Sequence, residues 1–198
     1  MDCDSAGYAA LKSIAQSRKS CRTFSQKPLD AEIVQKVIDV AMLSPYASGR
    51  KNWTVRTVRD CETIVSAAGL VQAHCKILSA GVREDMRDSF KSYAENFVAF
   101  KTAPVLLLTE FRVMPALSLM LAGNQEIARW ERENFIKSIS CVSMLILLAA
   151  ESLNLGACCM TGPLLAHDGL ARLFKVKESR EIGALIALGY KEQEKDNG

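Results

Sequence analysis

The chain has 198 residues, 49% of them apolar and 24% charged, which suits a globular, soluble protein with one sizeable core, read as a single domain over 1–198. Twenty-five basic against 22 acidic residues leave a net charge of +3, too small an excess to point to nucleic acid, so a local anion site is the better inference. The seven cysteines contain no CxxC pair and are odd in number, which argues against a complete disulfide framework and for a reducing cytoplasm; the N-terminus shows no secretory signal.

In chain order, Ser5 is placed to cap a helix reaching about Ser17, and Asp30 to cap a second with Ile33, Val34, Val37, Ile38 and Ala41 at three-and-four spacing, ended by Pro45. Trp53 to Arg59 is rich in β-branched residues and reads as a strand, with Asp60 opening another helix. Residues 82–101 read as helical and mostly polar. Pro104 then opens Val105-Leu106-Leu107-Leu108-Thr109, short and apolar enough for a central strand, and Ile182 to Leu188 is its late counterpart.

Between them Glu133 to Leu155 runs without proline or glycine and is apolar on most of its circumference, with Gly156 as its expected stop. Such a helix is buried in a core or across a subunit interface, and favours a dimer. Its most apolar part, Cys141 to Ala150, is shorter than the about 18 residues of a membrane span, so no membrane is expected. The stretch 111–128 mixes Pro115 and Gly123 with several Leu and Met residues and reads as a lid.

Two short motifs stand out. Arg18-Lys19-Ser20-Cys21-Arg22 gathers three cations and a hydroxyl, able to grip a phosphate by charge-assisted hydrogen bonds; a solvated cap at a helix C-terminus is the alternative. Cys158-Cys159-Met160-Thr161-Gly162-Pro163 follows the long helix and turns on small residues that let backbone amides approach a ligand. A third segment, Ser44 to Trp53, joins a helix to a strand with small, polar and basic residues; an ordinary surface loop is its alternative.

Taken together and in this order, these motifs resemble the nitroreductase family of FMN-dependent oxidoreductases. That family begins with an Arg-Arg-Ser-x-Arg-like motif, here Arg18 to Arg22, and follows with a Pro-Ser-x-x-Asn-x-Gln-Pro-Trp-like loop, here Pro45 to Trp53. Its Gly-Leu-Gly and Trp-Met-Thr-Gly-Pro-like turns correspond to Asn154-Leu155-Gly156 and Cys159 to Pro163, and its last core strand to Ala187-Leu188-Gly189-Tyr190.

The resemblance implies an α+β nitroreductase-like sandwich, a mostly antiparallel sheet flanked by helices in an interlocked homodimer with FMN at the interface. Arg18, Lys19, Ser20 and Arg22 map to the phosphate, ribityl and pyrimidine contacts, with Arg22 on the pyrimidine side. Pro45, Tyr46, Ala47 and Ser48 map to a loop from the partner subunit, and Met160, Thr161 and Gly162 to the turn whose amide approaches the flavin N5. The chain departs from the pattern in the loop, where Tyr46 replaces Ser, Gly49 replaces Asn, Lys51 replaces Gln and Asn52 replaces Pro; Cys159 replaces the common Trp. Lys51 is expected to substitute for the lost pyrimidine contact, and Lys191 or Lys195 for a basic residue beyond the last strand.

The implied activity is ping-pong hydride transfer from NADH or NADPH through FMN to a small nitroaromatic, quinone or other conjugated acceptor, with no protein nucleophile. The alternative is a flavin- or ligand-binding homodimer without reductase turnover. His74 and His167 lack a carboxylate or cysteine pattern suited to a metal and are expected to be structural or solvated. Cys158 and Cys159 are expected to be small buried side chains. Cys21 lies among cations that would lower its pKa, with a small core-facing role as the favoured alternative.

Overall fold

The apolar run after Pro104 forms the middle of the molecule, in a computed structural model that describes residues 5–46, 51–113 and 116–192. The elements in order are α1 (Ala6–Ser17), α2 (Ala31–Ala41), β1 (Trp53–Val58), α3 (Cys61–Ser79), α4 (Arg87–Glu95), β2 (Val105–Phe111), α5 (Ala116–Met120), α6 (Gln125–Ser152), β3 (Leu155–Met160), α7 (His167–Leu173) and β4 (Glu181–Tyr190). Short 3-10 segments cover Glu84–Met86, Asn96–Thr102 and Gly162–Ala166. The strands form one antiparallel sheet in the order β1-β2-β4-β3.

Because strand side chains alternate between faces, the two central strands feed two cores. Val105, Leu107, Ala184, Ile186 and Leu188 pack with α2 and α6, whereas Leu106, Leu108, Leu185 and Ala187 pack with α3, α7 and the 96–102 segment. The result is a sheet with helices on both faces, the α+β architecture expected.

Two of the three predicted start signals make their cap bonds. Ser5 accepts from the Tyr8 amide at 3.3 Å and Asp60 from the Thr63 amide at 2.9 Å. Asp30 occupies the N-cap of α2 without a side-chain cap bond.

Four expectations are corrected. The long helix starts at Gln125, ahead of Glu133, because Asn124 caps it by accepting from the amides of Glu126 and Ile127 at 3.0 and 3.1 Å. It ends at Ser152, and the left-handed residue after it is Asn154 at φ 57°. Gly156 is therefore no helix stop but part of β3, and Cys158 to Met160, read from sequence as part of the turning motif 158–163, belong to this edge strand Leu155–Met160 paired to β4. Finally, α6 is longer than the apolar segment read from sequence: with a mean hydropathy of 1.6 over an 18-residue window, it has the length and composition of a membrane span. In this fold it lies against the sheet, burying Phe135, Ile139, Val142, Ile146, Ala149 and Ala150.

Within 111–128, Phe111 is the buried last residue of β2 and residues 125–128 open α6. Between them α5 is tied down by Glu131, whose carboxylate accepts from the amides of Leu117 at 2.7 Å and Ser118 at 3.1 Å.

Candidate functional site

The basic motif leaves α1 and lies along the free edge of the sheet. Arg18 caps α1, its amide donating to the Ile14 carbonyl at 3.0 Å, and its ψ of 118° turns the backbone out of the helix. The next residues run beside β3: Ser20 forms a parallel bridge with Ala157, and the Cys21 amide donates to the Ala157 carbonyl at 3.0 Å. Gly156 permits this approach, since a Cβ there would stand 2.5 Å from Cys21 Sγ and 2.9 Å from Cys21 Cβ. Two motifs far apart in sequence thus share one strand edge.

Electrostatics confirm the juxtaposition. Burial raises the pKa of the Cys158 thiol, while the charges of Arg22 and Arg18 and a hydrogen bond from Ser20 pull it down. Arg18 is half-buried and Lys19, Ser20 and Arg22 are exposed. Among the described residues none of the three cations has a carboxylate partner, unlike Arg56, Arg83, Arg132 and Lys191. A cluster of donors with unspent charge, beside a strand of small residues, fits an anionic ligand such as a flavin phosphate.

Cys21 takes its favoured, core-facing role rather than that of a thiol activated by cations. Its pKa is raised, because burial outweighs hydrogen bonding from the Thr23 backbone and the charge of Lys191; the thiol itself donates to the Thr23 carbonyl at 3.0 Å. The thiol packs against the core as a small side chain. Cys158 and Cys159 are raised by burial too, and the six described cysteines are all free.

At the end of β3 Met160 is buried, Thr161 is exposed, and Gly162 opens the 3-10 turn Gly162–Ala166. Here the requirement for glycine comes from Phe97, whose ring lies so close that a Cβ on Gly162 would come within 2.5 Å of its Cε1. Phe97, itself 8% exposed, fixes where the turn sits.

The remaining expected residues lie elsewhere on the chain. Pro45 and Tyr46 follow α2 and line a cleft of about 390 Å³ with Trp130, Asn134, Phe135 and Cys141 of α6. Lys51 donates to the Met42 carbonyl at 2.8 Å and lies over the Trp53 ring at 5.0 Å. Ala47 and Ser48 lie outside the described residues, as does Lys195. Lys191 pairs with Glu151 at 2.9 Å.

Sequence reading missed two contributors. Phe97 carries no motif; its only signal is Tyr93 four residues earlier, the spacing that stacks two aromatics on one helical face. The Ala157 carbonyl was invisible because a backbone acceptor leaves no trace in residue identity. The two histidines, distant in sequence, line one cleft of about 410 Å³ with Leu70, Ile77, Leu165 and Arg172, and His167 Nδ1 lies 3.3 Å from Asp168.

Comparison with known proteins agrees with the fold. A relative from Archaeoglobus fulgidus, provisionally named an NADH dehydrogenase/NAD(P)H nitroreductase, is 21% identical over 183 residues, covering 91% of this chain and 84% of its own. A BluB-like flavoprotein from Clostridium difficile superposes with a TM-score of 0.81 at 21% identity, covering 95% of this chain and 93% of its own. A nitroreductase with bound FMN from Desulfitobacterium hafniense gives a TM-score of 0.71 at 18% identity, covering 94% and 91%. Both share the fold described above. The sequence profile of the Nitroreductase family matches residues 15–190, from the end of α1 to the end of β4, and the chain belongs to that family.

Proposed function

We propose that this protein is an FMN-dependent oxidoreductase that takes hydride from NADH or NADPH and reduces a nitroaromatic, quinone or other conjugated acceptor, working as a homodimer in the reducing cytoplasm. The observation that carries the reading is the hydrogen bond from the Cys21 amide to the Ala157 carbonyl, which brings the segment of Arg18, Lys19 and Arg22, cations with no carboxylate partner among the described residues, alongside β3, the strand that leads into residues 160–162. When bound, FMN supplies the two-electron chemistry, alternating between reduction by a nicotinamide and oxidation by the acceptor.

The chain's own residues bind and orient. Arg18, Lys19 and Ser20 would hold the phosphate and ribityl chain, and Arg22 would place a cation at the pyrimidine edge, favouring the reduced, negatively charged ring. Met160 to Gly162 would present backbone amide at N5, with Phe97 holding the turn in place. α1 buries none of its residues, and Tyr8 and Leu11 on it are exposed, as are Leu119, Met120, Trp130 and Met144 on α5 and α6. That apolar surface supports a second copy, whose Pro45 to Ser48 loop, with Lys51, would complete the site. Of the stretch 111–128, α5, held by Glu131, would exclude water as a lid.

A second reading, a flavin- or ligand-binding homodimer without turnover, is favoured by one observation. Lys51 and Lys191, expected to replace missing family contacts, are engaged with the Met42 carbonyl and Glu151. An absorbance spectrum with and without added FMN, followed by anaerobic NADH and then NADPH, decides between them. A protein-bound flavin that bleaches supports the reductase; bound flavin that stays oxidised with both nucleotides supports the second reading. No bound flavin overturns the reductase and the flavin-binding form of the second reading.

A further inference from the structure

A further cleft, of about 510 Å³, lies between α3 and α4, on the face of the sheet opposite α6. α3 contributes Cys75, Lys76 and Ser79 to it and α4 contributes Arg87, Phe90 and Lys91, each set at three-and-four spacing, so one stripe of each helix faces the other. Apolar stripes would close such a pair, but long charged side chains keep their heads in water and hold it open. α4 accordingly buries none of its residues. The floor is apolar. Cys75 is buried, which pushes its thiol pKa up and keeps it neutral, and Ala94 and Val98 pack on the same core. Phe90 is half-buried yet joins neither core, which leaves its ring to the cleft.

The charges are unevenly placed. Residues 80–86 join the two helices, so Ser79 and Arg87 mark the closed end, with Lys76 one turn back and Asp88 beside it, while Val98 marks the other end. Lys91 and Glu95 lie between. Three cations against two carboxylates leave one positive charge on the rim, and none of the five forms an ion pair among the described residues. We infer that this cleft binds a linear carboxylate of fatty-acid type, its chain along Phe90, Ala94 and Val98 and its head group against Lys76 and Arg87. Small-molecule sites of roughly 300–1,000 Å³ are built in this way, with apolar walls and a few polar groups that fix orientation. A chain suits the shape, since the 9 residues of α4 that flank the cleft span roughly 13 Å at about 1.5 Å per residue. None of the proposed flavin contacts lines the cleft, so carboxylate binding does not require FMN.

The test is isothermal titration of the full chain with decanoate below its micelle concentration, with and without added FMN. Two further probes separate the parts of the ligand: acetate has the head alone, and decyltrimethylammonium has the chain with a cation. Decanoate should bind saturably at a single site, and the other two at least roughly tenfold more weakly. Replacing the exposed Lys76 and Arg87 together, as Lys76→Gln with Arg87→Gln, should weaken decanoate roughly tenfold by removing charge-assisted bonds. Ala94→Trp fills the cleft and should abolish binding, with circular dichroism and a thermal melt reporting whether it folds; if it does not, the charge variant decides alone. Absence of saturable decanoate binding overturns the proposal. So does equal affinity in the charge variant, or decyltrimethylammonium binding as tightly as decanoate, either of which would mean apolar adsorption without recognition of the head group. Undiminished binding by a folded Ala94→Trp protein would place the ligand elsewhere and overturn it too.

Discussion

The two edges of the sheet solve the same problem by different means. β1 exposes one edge and guards it with charge: Arg56 on β1 pairs with Glu110 on β2 at 2.6 Å and donates to the Phe174 carbonyl, and Arg180 donates to Thr54 at 3.2 Å. Those charges are spent on the protein itself. β3, at the other edge, carries Leu155-Gly156-Ala157-Cys158-Cys159-Met160, without a charge, and is covered by the segment after α1. The cations of that segment have no carboxylate among the described residues. Charge neutralised within the protein leaves the β1 edge nothing to offer a ligand, whereas the cations beside β3, without a carboxylate among the described residues, are what the proposed flavin phosphate site requires.

The comparison breaks first at the cations. Replacing Arg18 and Arg22 together with Ala should weaken FMN binding by roughly a hundredfold or more, since each removes a charge-assisted bond, with the melting temperature of the FMN-free protein little changed. Flavin titration by fluorescence quenching measures the first and a thermal melt the second. Equal FMN affinity would return Arg18 and Arg22 to the role of a solvated helix cap.

Next come two substitutions of similar size in stability and opposite consequence for the cofactor. Gly156→Val drives a side chain into Cys21, separating the basic segment from β3, and should cost about 1–3 kcal/mol together with most FMN retention. Glu110→Ala strips the buried partner of Arg56 and should cost about 1–3 kcal/mol while FMN affinity per folded molecule stays the same. Urea unfolding beside flavin titration separates them. Loss of FMN affinity in the folded Glu110→Ala protein would mean that the two edges are not independent.

Most of this architecture is legible in the sequence because it rests on local signals. Ser5 and Asp60 cap helices through bonds within three residues, and the 105–108 and 182–188 runs have no polar face to leave in water. The order of the motifs is enough to bring Arg18–Arg22 to the strand that holds Cys158, which the structure places beside Ser20 and Cys21 through Ala157. Hidden features depend on contacts made across the fold. Gly156 looks like a helix stop beside Leu155, yet its lack of a side chain serves Cys21, 135 positions away in sequence. Cys21 among cations looks reactive, yet burial, which no short window reveals, dominates its titration. The true stop, Asn154, was overlooked because glycine is the commoner left-handed residue.

The smallest expected effect concerns an anion that the chain supplies to itself. Glu131 offers its carboxylate to the amides of α5, the converse of the β3 edge, where the proposed anion would come from the cofactor. Its pKa is lowered chiefly by the Ser118 hydroxyl, with burial opposing and the amides of Leu117, Ser118 and Ala116 adding to the fall. A carboxylate whose folded pKa is depressed contributes stability that is fully present above its unfolded pKa of about 4.3 and is lost as pH drops through the lower folded value. Protection of the Leu117 and Ser118 amides against hydrogen exchange, corrected for intrinsic rates, should therefore be level near neutrality and fall only in acid. Glu131→Gln removes the charge at every pH, so its protection should be lower at neutrality and lose this acid step. Protection in the wild type that stays constant through the acid range would mean that α5 is held by its apolar contacts with α6 and not by the carboxylate.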